Sequence, residues 1–478
     1  MIQKTIYIAI VSLTINALGL HATQGKLCSK KSSVSFTRNL ILNNIYLHSS
    51  KAKHGKTVVC YVASWAQYRP EKGQFGIDNL RPEHCTHLIY SFAGLNATTW
   101  TIKSLDPWAD LEDNYGKGGY KKMTALRNKY PDLKISLAIG GWNEASANYS
   151  ALVSLPERRS IFVTSVLTFL RNFGFDGLDL DWEFPGKRGG VPQDRENFVS
   201  LIKELKTVFK SNNLLLTAAI SADISTINEA YDIPKISTYL DYIHVMAYDY
   251  HGAWDKKIGA NAPLYCFGDR LCVNETINYL IERGAPPSKL VLGLPMYGRT
   301  FIAVSDLNDN QSPIGVDSLD KGFQGNYTRE NGFMGYNEIC QELINYPKNW
   351  RCGWDEKTSA AYAISKDKVV IYDDPKSLRI KVQFVKQIKL AGVMVWSIDT
   401  DDFLGECASI HDNISGISQN MDYPLMRTIN FALTETPKDN LSHSIEEDIT
   451  TKNSASSYLL NTALILFSIL RYILLSFT

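Results

Sequence analysis

The chain has 478 residues, 45% of them hydrophobic and 11% aromatic, enough to bury one large core or two modest ones. Its formal net charge is +1, and beyond a lysine-rich stretch ahead of the first strand signal there is no basic block, so a nucleic-acid partner is not expected and a neutral substrate is compatible. Eight cysteines with no CxxC pair point to disulfides in an oxidising compartment rather than to zinc ligands.

Taken in chain order, residues 1–22 read as a secretory signal peptide, with Lys4 ahead of an apolar run from Ile6 to Leu13 and small residues after it. Residues 23–55 form an N-terminal extension. Over 56–436 short apolar and β-branched runs alternate with helical patterns, which argues for parallel strands joined by crossover helices. The strand signals are Val58–Ala63, Leu88–Phe92, Ile135–Ile139, Gly177–Asp181, Leu214–Ala219, Tyr242–Ala247, Leu290–Leu294 and Val393–Ser397. Eight of them predict an α/β fold, a closed (β/α)8 TIM barrel. Arg158–Phe173 and Glu196–Lys210 space apolar residues for an outer helical ring. The long interval between strands seven and eight predicts a small inserted α+β unit at about 300–372.

A polar stalk at 437–457 and a hydrophobic tail at 458–478 close the sequence. The tail is expected to be membrane-directed, as a glycolipid-anchor signal or a spanning helix. Asn-x-Ser/Thr sequons at Asn96, Asn148, Asn274, Asn310, Asn326, Asn413 and Asn440 suit a secretory route. Cys266 and Cys272 are near enough in sequence to close a small loop, and a Cys60–Cys85 bond would tie the first strand to the start of the second.

The most informative segment runs from Phe175 to Pro185, where acidic and apolar residues alternate through what otherwise reads as a buried strand. Side chains alternate faces, so Asp179, Asp181 and Glu183 share one side and Leu178, Leu180 and Trp182 the other. Same-face positions lie about 6.5–7 Å apart, close enough for like charges in a poorly solvated site to raise one another's pKa. Coupling of the two aspartates, with desolvation by aromatic walls, is expected to hold Glu183 protonated near neutrality. Asp176, at the strand's start, is expected to be structural.

Asp176, Asp179, Asp181 and Glu183 fill the DxxDxDxE signature of family 18 glycoside hydrolases. Further matches fall in order: Cys60 to Pro70 resembles that family's first strand, Ala138 to Asn143 its third, Met246 to Gly252 follows its sixth, Leu294 to Arg299 its seventh, and Val395 to Asp399 its eighth. Over Val59 to Arg427 the chain resembles the animal chitinases of the family. The resemblance implies a (β/α)8 barrel with an α+β insertion before the last strand, and disulfides Cys60–Cys85 and Cys340–Cys407, leaving Cys28 and Cys352 without an assigned partner. One departure is Phe184, where many relatives carry Tyr.

The same resemblance implies an endochitinase that cuts chitin or chitooligosaccharides with retention. Asp181 and Glu183, two residues apart on one strand, do not flank a sugar from opposite faces, so the substrate's 2-acetamido oxygen is the implied nucleophile. Glu183 is then acid and base, Asp181 orients the acetamide, Asp179 holds or shares a proton with Asp181, and Tyr248 donates to the attacking carbonyl oxygen. Trp65, Phe92, Trp142, Asn143, Met246, Asp249, Trp254, Tyr297, Arg299 and Trp396 are the implied sugar contacts, with Trp396 as the floor. The tryptophans fall at strand ends, where rings offer flat apolar platforms. No metal or organic cofactor is expected, and a monomer is. The rival expectations are a catalytically weak chitin-binding lectin and an endo-β-N-acetylglucosaminidase acting on N-glycans.

Overall fold

The computed structural model describes residues 54–305, 307, 311–407 and 422–436. The expected leader at 1–22, nearly all of the extension to 55, the stalk, the apolar tail, Cys28 and the sequons at Asn310, Asn413 and Asn440 lie outside them. Among the described residues no helix is long and apolar enough to cross a membrane.

In chain order the first strands are β1 (Thr57–Ala63), β2 (His87–Asn96), β3 (Thr101–Ser104), β4 (Lys134–Gly140), β5 (Gly177–Asp181), β6 (Leu215–Ser221), β7 (Tyr242–Met246) and β8 (Leu290–Pro295). Then come β9 (Tyr297–Ile302), β10 (Phe333–Gly335), β11 (Arg351–Asp355), β12 (Ala360–Ser365), β13 (Lys368–Tyr372) and β14 (Gly392–Trp396). Eight of these, β1, β2, β4 to β8 and β14, pair in parallel, and the β1–β14 and β1–β2 ladders close the ring. The fold is the (β/α)8 barrel. β3 is an addition the apolar pattern does not reveal, a short antiparallel partner for the end of β2.

Alternation along the strands builds two cores. Val59, Tyr61, Ile89, Ala138, Val291 and Met394 fill the barrel interior, with Phe92, Met246, Tyr248 and Trp396 packed on them toward the mouth. Val58, Cys60 and Val62, on the other face of β1, join the larger layer between strands and helices. The helix Pro156–Phe173 contributes Phe162, Val163, Val166 and Leu170 to that layer, each worth about 1.5–3 kcal/mol on burial. It stops at Gly174, whose φ of 74° lets its N–H reach back to Leu170 and Arg171.

Between β8 and β14 the chain leaves the barrel to form a five-stranded antiparallel sheet, ordered β10-β9-β13-β12-β11, with the helix Tyr336–Asn345 beside β10. Disulfides pin loops around this frame. Cys60–Cys85 ties β1 to the segment before β2, Cys266–Cys272 closes a small loop, and Cys340–Cys407 joins the inserted helix to the segment after β14. Cys352 is disulfide-bonded as well. After β14, the buried Asp401 accepts backbone N–H groups from Asp402, Leu425 and Met426, and so caps the helix Pro424–Thr434 from a distance.

Candidate active site

On β5, Asp179 and Asp181 point inward while Leu178 and Leu180 pack outward. Trp182 continues the outward face: its rings meet Tyr149 and Phe198, and its indole N–H donates to Ser146 Oγ at 2.9 Å. Ser146 in turn donates to the Phe184 carbonyl at 2.9 Å, which anchors the chain on both sides of Glu183.

Asp179 lies at the bottom of the site, fully buried, with both oxygens satisfied. Tyr61 Oη donates to Oδ2 at 2.6 Å and Thr217 Oγ1 to Oδ1 at 2.5 Å. His244 Nδ1 is 3.1 Å from Oδ1 and 3.0 Å from Tyr61 Oη. Asp181, one layer higher, differs sharply: its Oδ1 is buried with no protein partner. Burial, then the neighbouring Glu183 and Asp179, push its pKa well above the ordinary carboxylate range.

Glu183 lies two residues beyond the end of β5. Its pKa is raised to about 7, chiefly by burial; the Arg188 cation pulls it down and Asp249 pushes it up. The outside carboxylate raising it is therefore Asp249, whereas the mutual repulsion expected along the strand falls mainly on Asp181. Arg188 holds the loop by donating to the carbonyls of Glu183 at 3.0 Å and Trp142 at 2.8 Å, and its guanidinium covers one face of the Trp142 ring at 3.5 Å. Tyr248 keeps its phenol proton, because burial and the surrounding acids Asp181, Asp249, Glu183 and Asp179 raise its pKa well above 10. Its hydroxyl points at Met394 Sδ, 3.7 Å away, a weak acceptor.

Around these acids the rings form a floor and walls. Phe92 stacks on Trp396 at 5.8 Å between centroids and on Trp65 at 5.9 Å. A break in the β2–β4 register between Tyr90 and Ala93 sits at Phe92. The buried Asp399 accepts from the Ala63 N–H at 3.0 Å and pairs with Arg69 at 2.7 Å, which locks the Trp65 loop to the Trp396 loop. Trp65, Trp142 and Trp254 keep 43%, 59% and 54% of their surface exposed, so each offers a ring face to solvent. Asn143 is exposed beside Trp142, and Met246 is half-buried on the interior cluster. Asp249 accepts from Tyr297 Oη and from Arg299 Nε, both at 2.7 Å. Arg299 sits 5.1 Å from the Trp254 ring centroid.

The structure thus brings Asp179, Asp181, Glu183, Tyr248, Asp249, Tyr297, Arg299 and the rings to one barrel mouth. Sequence reasoning missed Tyr61, Thr217 and His244, which come from three different strands, and Arg188, which lies on a loop. It also missed Glu330 of the inserted unit, whose pKa is raised by burial and Asp249 and lowered by Arg299 and Arg69. Among the described residues the one grouping with metal-ligand spacing is Cys340, Asp402 and Cys407, and its sulfurs are spent in a disulfide.

The family model of glycosyl hydrolases family 18 matches residues 57–401. The chain is 53% identical over 397 residues to Probable chitinase 2 of Drosophila melanogaster, covering 79% of this chain and 81% of that protein. It is 37% identical over 375 residues to the Endochitinase of Manduca sexta, covering 76% and 67%. The Group IV chitinase of Ostrinia furnacalis, solved also in complex with allosamidin, superposes with a TM-score of 0.73 at 40% identity, over 80% of this chain and, for the first of the two structures, all of that one. The chain belongs to glycosyl hydrolases family 18, and it is a glycoside hydrolase of the animal chitinase type.

Proposed function

We propose that this enzyme is a chitinase that hydrolyses β-1,4 bonds between N-acetylglucosamine units with retention, using the substrate's own acetamide as nucleophile. One observation carries the reading: Glu183, its pKa raised to about 7, and Asp181, whose buried Oδ1 has no protein partner among the described residues, rise from the same strand and so approach a sugar from one side. Asp249, the other acid near Glu183, is engaged by Tyr297 and Arg299. A sugar seated on Trp396 then has its nucleophile supplied from within.

In the first step the acetamide oxygen bonds to the anomeric carbon as the glycosidic C–O bond breaks, and the Glu183 proton goes to the leaving oxygen. Asp181 accepts the acetamide N–H and opposes the positive charge forming on the oxazolinium ring. Tyr248 donates to the acetamide oxygen. In the second step water adds to the anomeric carbon, its proton returns to Glu183, and the acetamide oxygen is released. Two inversions at one carbon leave its configuration retained.

Relatives named chitinases support chitin as the polymer, the disulfides support an oxidising extracellular setting, and the neutral chain suits an uncharged substrate. Release of fluorophore from a labelled chitooligosaccharide, compared between the wild type and Glu183→Gln, tests the assignment; equal rates sink it. Chitin and a high-mannose glycoprotein offered side by side test the substrate, and cleavage of the glycoprotein alone overturns chitin.

A further inference from the structure

The turn that carries Trp254 is held from a direction the chemistry does not use. Trp254 sits in the short helical turn Ala253–Asp255, its ring folded back over Gly252, where a Cβ would meet it at 2.2 Å. The next residue, Asp255, faces His251 Nδ1 across 3.1 Å, and its same oxygen lies 3.4 Å from the Gly252 N–H. On its other side His251 Nε2 is 3.4 Å from Asp269 Oδ2. Asp269 belongs to the loop that the Cys266–Cys272 bond closes. The imidazole is wedged between two carboxylates from two segments, and its back rests on Gly259, whose Cβ would clash with it at 2.5 Å.

That loop is fixed to the barrel rather than to the cleft. The other oxygen of Asp269 accepts from the Leu271 N–H at 2.9 Å, and Arg270 pairs with Glu275 at 2.7 Å on the helix Val273–Glu282. In that helix Thr276 donates to the Ala222 carbonyl at 2.7 Å and accepts from Tyr250 Oη at 2.7 Å. A continuous chain of contacts therefore runs from the barrel wall through the disulfide loop to His251, Asp255 and the Trp254 turn. No part of it touches Glu183 or Asp181.

We propose that Asp269, acting through His251, is a positioning residue for Trp254 and so sets the grip on the sugar units bound on that side of the cleavage point. The proposal rests on the chitooligosaccharide reading above and goes beyond it. Its test does not need turnover. Chitohexaose is titrated calorimetrically into Glu183→Gln protein, with and without Asp269→Ala. Affinity is expected to fall roughly three- to tenfold, and the difference to vanish when Trp254→Ala is added to both proteins. Asp269→Asn, which keeps an oxygen for the Leu271 N–H and disturbs the fold least, is expected to weaken binding in the same direction. Unchanged affinity in either Asp269 variant overturns the proposal. So does a loss that persists undiminished without Trp254, which marks a general loosening of the loop. Wild-type protein that binds the hexamer through Trp254 but releases no product overturns the hydrolysis and leaves this proposal standing.

Discussion

Two buried carboxyls in this protein are pushed to the same place, and only one faces the cleft. Glu183 and Asp401 both have pKa values raised to about 7, both first of all by burial. Asp401 is wrapped by three backbone N–H donors, two from the start of the helix Pro424–Thr434 and one from Asp402. Glu183 lies at the barrel mouth between an arginine and an aspartate, neither of which touches its carboxyl group in a hydrogen bond. A displaced titration therefore does not identify an acid catalyst. What separates the two is their place: Glu183 stands just past the end of β5 beside the partner-free oxygen of Asp181, whereas Asp401 is spent holding backbone N–H groups.

The largest expected effect comes from Glu183→Gln, which should lower kcat roughly 10²–10⁴-fold without lowering Tm, measured on a fluorogenic oligosaccharide and by calorimetric melting. Asp401→Ala should do the reverse. It strips three N–H groups of their acceptor and should cost about 2–4 kcal/mol of stability by denaturant titration, with kcat kept; a collapse of kcat in a folded variant breaks the comparison. Third is the pH dependence of stability. Both carboxyls are raised, so the stability they contribute is whole below the ordinary carboxylate range and is lost as pH rises through about 7. The loss should be on the order of 3–4 kcal/mol per group, and each of Glu183→Gln and Asp401→Asn should flatten one share of the curve. The smallest effect is the sharpest. Arg188 lowers the Glu183 pKa and Asp249 raises it, so the alkaline limb of kcat/KM should move up in Arg188→Ala and down in Asp249→Asn, each by under about one pH unit. Movement in the same direction for both would break the assignment of Glu183 as the acid.

The barrel was legible because its strands are short apolar runs separated by amphipathic helices, and the signals for β5 coincide with the observed Gly177–Asp181. The Asp–Leu–Asp–Leu alternation carried the direction of the acids for the same reason, since facing is a property of one strand alone. What surrounds them is not. Tyr61, Thr217 and His244 reach Asp179 from β1, β6 and β7, and inter-strand register leaves no trace in the order of residues. Arg188 and Glu330 sit on irregular segments, where neither periodicity of two nor of 3.6 applies. Asp249 was marked as a sugar contact, while its hold on Arg299 and Tyr297 needed coordinates. β3 was missed because four residues are too few to show a pattern.

The hydrogen bonds beneath Asp179 matter beyond that one residue. Tyr61 and Thr217 each donate to one oxygen of Asp179 and His244 stands 3.1 Å from it, so that carboxyl is held in one orientation from below. Any change of charge on Asp181, one layer above, is therefore met by a fixed polar base and not by a side chain free to swing away.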